Sequence, residues 1–113
     1  FLDNIFSKNK NIIIPKRMKH LKEVFHLYHI RFNSEKIRNE ILKKLIKNKI
    51  DAKIHYPTSM HLQPAAKKYG YKKGDFPIAE KLSKTSISLP VHEFVKEKDL
   101  KFMSNIILRN LIS

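Results

Sequence analysis

The sequence contains no cysteine and no tryptophan, two glycines, and ten acidic residues against twenty-four basic ones. Without cysteine there are no disulfides and no thiolate metal ligands, and a cytoplasmic setting is the default expectation. The two glycines, Gly70 and Gly74, do not build a glycine-rich phosphate loop, and no serine sits in a Gly-x-Ser-x-Gly elbow. Acidic residues are too sparse, and too concentrated near helix starts, for a paired-carboxylate mechanism. No apolar run approaches a membrane span, so no membrane partner is expected. The chain opens Phe1-Leu2-Asp3-Asn4, with no initiator Met, no basic n-region and no apolar h-region, and reads as a piece of a longer protein.

What is present fits one mixed globular domain. Its 113 residues can bury one core, and 42% of them are hydrophobic, with seven Phe and four Tyr spread along the length. The formal charge is +14, which raises a polyanion partner as a reading. Twenty of the basic residues are lysine and four are arginine, as A/T-rich codons would supply. The lysines are dispersed, whereas a nucleic-acid footprint clusters and brings arginine for bidentate contacts. No nucleic-acid partner is therefore expected, and a basic nucleic-acid-binding module stays as the alternative from another class.

Along the chain, residues 1–10 read as the tail of a helix, Ile12-Ile13-Ile14-Pro15 as a short strand stopped by proline, and Lys16 to Lys22 as a charged connector. Glu23 to Phe32, "EVFHLYHIRF", predicts a central strand by its aromatic and β-branched content. Ser34 caps a helix whose apolar stripe is Ile37, Ile41, Leu42, Leu45 and Ile46. A second strand is predicted over residues 50–55, a short helix over Ala65 to Tyr69, and another helix from Pro77. "SISLP" reads as a strand, and a final helix runs from about Lys96 with Leu100, Met103, Ile107 and Leu111 inward. The expected fold class is α/β, as an α+β sandwich: a sheet of three to four strands covered by about four helices.

Six histidines raise a metal site. On the predicted strand His26 and His29 fall on opposite faces, and His55 and His61 lack a third ligand at a sensible spacing, so none is expected. Tyr28 reads as a half-buried core tyrosine. Arg31 has two readings, an anion contact or a structural partner for a carboxylate such as Glu35. His55, Tyr56 and His61 lie at a strand's C-terminal edge and in the loop after it, where α/β proteins place ligands.

The ordered string "FHLYHIRF", "IDAKIHYPTSMHLQPA" and "YGYKKGDFPIAEKLSKTSISLPVH", followed by an amphipathic helix, resembles the C-terminal domain of the DegT/DnrJ/StrS family from about residue 20 to the end. These are pyridoxal-phosphate-dependent aminotransferases of nucleotide-linked keto sugars. The resemblance implies the small domain of a type I aminotransferase fold, with residues 1–19 a helix tail and linker from a large domain and residues 20–113 the small domain. It implies that pyridoxal 5'-phosphate, the Schiff-base lysine and the phosphate-binding residues belong to the large domain, so that this piece is inactive alone and none of its lysines is catalytic. It also implies nucleotide-sugar and amino-acid substrates, with glutamate the common donor, and a homodimeric parent. Residue by residue, His55 and Tyr56 match the His-Tyr pair of the "HYP" turn beside the bound sugar nucleotide, and His61 matches the histidine of "HLQP"; these three are the expected substrate-binding residues. Thr58-Ser59-Met60 departs from the commoner "HYP-x-P-LH" pattern. A catalytically dead regulatory relative of the same fold stays as an alternative.

Overall fold

The computed structural model describes residues 1–111. Prolines and local turns set the size of its sheet. Strand β2 (Tyr28–Phe32) is central, flanked antiparallel by β1 (Ile12–Ile13) and β3 (Ser86–Leu89). Pairing with β3 runs from Arg31↔Ser86 to Tyr28↔Leu89 and stops where Pro90, which has no amide hydrogen, would come next. Pro15 limits β1 in the same way. The strand predicted from Glu23 therefore begins five residues later, and Val24 is 86% exposed.

The strand predicted over 50–55 shrinks to a single bridge, in which Lys53 and Ser88 exchange both backbone hydrogen bonds at 3.0 and 2.9 Å. The Ala52 amide donates instead to the Ile50 carbonyl at 2.8 Å, a local turn that takes it out of the ladder. The bridge still matters, because it delivers the following loop to the outer edge of β3.

One sheet face carries the core. Tyr28, Ile30 and Phe32 alternate toward it along β2, and Ile87 and Leu89 meet them from β3. Helix α2 (Glu35–Lys47) lies on this face with Ile41 and Leu45 fully buried. Ser34 accepts the Ile37 amide at 3.2 Å and so starts the helix as its sequence predicts. Ile46 is 58% exposed, because one residue beyond Leu45 the helix has turned about 100° from the core. Helix α4 (Glu97–Arg109) supplies Met103 and Ile107, and its first turn is closed by Asp99 accepting the Lys96 amide at 3.0 Å. Truncating a residue such as Ile30 or Ile107 to Ala is expected to cost about 2–5 kcal/mol. No helix among the described residues is long and apolar enough to cross a membrane.

Within residues 1–19, expected as a helix tail and linker, several apolar side chains pack into this same core. Helix α1 (Leu2–Phe6) buries Leu2 and Phe6, and Ile12 joins them from β1. Arg17 holds the irregular stretch down: its Nε and Nη2 reach the two carboxylate oxygens of Asp3 at 2.9 and 3.1 Å, and Nη1 reaches Glu23 at 2.7 Å. The Tyr28 hydroxyl donates to the same Asp3 carboxylate. Tyr28 is thus a core residue with its polar end tied off.

Helix α3 (Pro77–Thr85) runs without a linker into β3. Arg38 of α2 secures that joint. It is 4% exposed, and its guanidinium donates to the carbonyls of Ser83 and Ser86 at 3.1 and 3.3 Å.

Candidate functional site

Beyond Lys53 the chain leaves the sheet edge, turns at Pro57, and folds back as two short 3₁₀ turns, Met60–Leu62 and Pro64–Tyr69, the second closed by Gly70 at φ +76°. This loop, the outer face of β2 and β3, and one side of α3 enclose a cleft of about 360 Å³. Leu27, Ile54, Met60, Ala79 and Leu82 form its apolar wall; His29, Lys53, His55, Tyr56, Ser86 and Ser88 bring the polar atoms. An apolar cavity with a few convergent polar groups is the usual form of a small-molecule site.

The three expected site residues separate. His55 and Tyr56 share the cleft, and both are exposed, Tyr56 by 65%, so each keeps its ring free to hydrogen-bond a ligand. His61 does not line the cleft. Its side chain is 7% exposed and faces Glu80 of α3 at 3.1 Å, with the Phe76 ring centroid 4.8 Å away. The same Glu80 oxygen accepts the Gly74 amide at 2.7 Å. That amide first, and the His61 ring next, hold the Glu80 carboxyl below its ordinary pKa. Gly74 needs its glycine, because its φ is +98°.

Serines supply a second tie between loop and helix. Buried Ser59 donates to the Ser83 hydroxyl at 3.3 Å, and Ser83 donates to the Glu80 carbonyl at 2.9 Å. Sequence reading gave these serines no role, since a lone serine carries no spacing signal; only the Ser-x-Ser alternation of "SISLP" marks Ser86 and Ser88 as facing away from Ile87 and Leu89.

His29 also faces the cleft. Partial desolvation, followed by the charges of Arg31 and His55, pushes its pKa below the ordinary histidine value and favours the neutral ring. Of the two readings of Arg31, the pairing with Glu35 is not formed: Glu35 approaches Arg38, at 3.8 Å, and Arg31 has no carboxylate within ion-pair distance among the described residues.

Fold and cleft define a small α/β domain that presents a cleft on the sheet face opposite its core. The family model of the DegT/DnrJ/EryC1/StrS aminotransferase family matches residues 2–107, and the chain belongs to that family. Among curated relatives it is 34% identical over 99 residues to the uncharacterized protein MJ1066 of Methanocaldococcus jannaschii, covering 84% of this chain and 25% of that protein. It is 35% identical over 92 residues to a pleiotropic regulatory protein of Geobacillus stearothermophilus, covering 81% of this chain and 24% of that one. The fold is shared with S. venezuelae DesV, solved in complex with a ketimine intermediate: TM-score 0.88 at 22% identity, over 98% of this chain and 29% of DesV. The chain thus spans about a quarter of the length of the curated relatives it matches.

Proposed function

We propose that this chain is the C-terminal, substrate-closing domain of a pyridoxal-phosphate-dependent aminotransferase that moves an amino group, with glutamate as donor, onto a nucleotide-linked keto sugar. The observation that carries the reading is the pairing of His55 and Tyr56 on one cleft, just beyond the Lys53–Ser88 bridge at the sheet edge, in a chain of this family. The imidazole and the phenol each offer a donor and an acceptor to sugar hydroxyls or diphosphate oxygens, Pro57 fixes the turn that presents them, and the apolar wall excludes water from the sugar ring. His61 serves the same substrate from behind, by holding the loop. In this reading residues 20–113 are the small domain, residues 1–19 join it to a large domain through a segment packed on its core, and the parent is a homodimer.

The cleft does not suit the cofactor itself. Pyridoxal 5'-phosphate calls for a lysine free to form a Schiff base, a carboxylate for its ring nitrogen and a cradle of amides for its phosphate. The cleft's lysine, Lys53, is paired with Asp51 at 2.9 Å, and no carboxylate lines the walls. We therefore assign the cofactor and the catalytic lysine to the rest of the longer protein and regard this piece as inactive alone.

The full-length protein tests the reading. Reconstituted with pyridoxal 5'-phosphate, it is expected to show the aldimine absorbance band and to transfer the amino group of glutamate to a nucleoside-diphosphate keto sugar. A large domain without a Schiff-base lysine, giving neither band nor transfer, would favour the second reading, a regulatory relative of the same fold, which the similarity to a pleiotropic regulatory protein keeps open.

A further inference from the structure

Arg31 and His29 lie two residues apart on β2 and point away from the core. Across the ladder Ser86 stands opposite Arg31 and Ser88 opposite His29, a placement that brings paired Cβ atoms to about 4.5–5.5 Å. Ser86 is 7% exposed, and its hydroxyl has no hydrogen-bond partner among the described residues. Buried hydroxyls are nearly always bonded, so the unpartnered Ser86 hydroxyl beside the cleft has a hydrogen bond to offer to what enters it. The main cleft, which Ser86 lines, adjoins a second of about 310 Å³ that Arg31 lines, and His29 and Leu82 belong to both. No Asp or Glu lines either one.

We infer that Arg31, the Ser86 hydroxyl and His29 form a subsite for an oxyanion of the substrate, a phosphate or a carboxylate. The guanidinium offers a two-pronged donor set matched to such a group, Ser86 adds one hydrogen bond from below, and a neutral His29 can donate from a ring nitrogen. Desolvation first, and the like charges of Arg31 and His55 after it, hold the His29 pKa down, and a bound anion would offset those charges. The identity of the ligand rests on the proposed function, whose two substrates each carry an oxyanion: the diphosphate of the sugar nucleotide and the carboxylates of the amino donor.

The test is a two-dimensional NMR titration of the chain with inorganic pyrophosphate and, separately, with glutamate, comparing wild type with Arg31→Gln, Ser86→Ala and, as a charge control on the exposed side of α2, Lys44→Gln. Saturable shifts centred on His29 and Ser86 are expected in the wild type. Arg31→Gln should raise Kd by about tenfold, Ser86→Ala by about threefold, and Lys44→Gln should leave it unchanged. A loss confined to pyrophosphate assigns the diphosphate, and one confined to glutamate assigns the donor carboxylate. Absence of saturable shifts, equal binding by wild type and Arg31→Gln, or equal weakening by Lys44→Gln each overturns the subsite. Should Arg31→Gln unfold, Arg31→Lys keeps the charge and removes the fork; unchanged binding then overturns the proposal. A full-length protein that transfers no amino group would sink the proposed function while leaving the titration's answer standing.

Discussion

His61 and Glu80 meet at 3.1 Å with side chains only 7% and 12% exposed, and the contact joins the loop after Lys53 to the first turn of α3. Glu80 works mainly as an acceptor for the Gly74 amide and the His61 ring. Glu80→Gln or His61→Ala should speed hydrogen exchange of the Gly74 amide by about tenfold while leaving exchange at Ile30 unchanged. Because the folded-state pKa of Glu80 is depressed, its contribution is full above the ordinary carboxylate pKa and fades as pH falls through the folded value. Acidification should therefore reproduce the effect of Glu80→Gln in the wild type; unaltered protection of Gly74 in both variants would count against the pin.

Arg38 should prove costly to remove. Arg38→Ala leaves the Ser83 and Ser86 carbonyls without their buried donor, and a loss of about 2–4 kcal/mol is expected in urea unfolding. Glu35→Ala removes only the 3.8 Å contact and should cost under about 1 kcal/mol.

Tyr28 gives an alkaline limit. Burial first, then the neighbouring Asp3 carboxylate, raises its pKa well above the ordinary tyrosine value. With the folded pKa above the unfolded one, its contribution is complete below about pH 10 and declines as pH rises beyond it. Tyr28→Phe should flatten that decline in thermal melts. The acid limb belongs to Asp3, whose pKa is lowered chiefly by Arg17, so that Asp3→Asn should cost about 1 kcal/mol near neutrality and less as pH drops below the carboxylate range.

His55→Ala with Tyr56→Phe should leave the melting temperature of the chain within about 2 °C of wild type, since both side chains are exposed. On the proposed function, the pair should lower kcat/KM of the full-length protein for a sugar nucleotide by about a hundredfold without removing the cofactor band. Unchanged turnover would make the turn merely structural.

Sequence reading located the helices and the loop well and the strands less well, for a physical reason. Helix boundaries are written locally, by Ser34, Pro77 and Asp99, whereas a strand ends where its partner does: "EVFHLYHIRF" reads as one extended run, and only Pro90 on another segment decides that pairing starts at Tyr28. His61 shows the same limit within the site. Its spacing from His55 suggests shared duty, but its partner, Glu80, is nineteen residues away in a helix. Arg38 was hidden for a similar cause, since a charged residue on a polar-looking stretch of α2 gives no sign of the carbonyls it will meet.

The direct run of α3 into β3 couples the two halves of the cleft like a rigid strut. Nine helical residues span about 13.5 Å, with Glu80 fixing the loop near one end and Ser86 set against Arg31 at the other. Insertion of a single residue between them would swing the loop anchor about 100° around the helix axis, or, if absorbed by the strand, turn Ser86 to the core side and Ile87 to the cleft side. The segment from Glu80 to Ser86 should thus tolerate changes of side chain far better than changes of length.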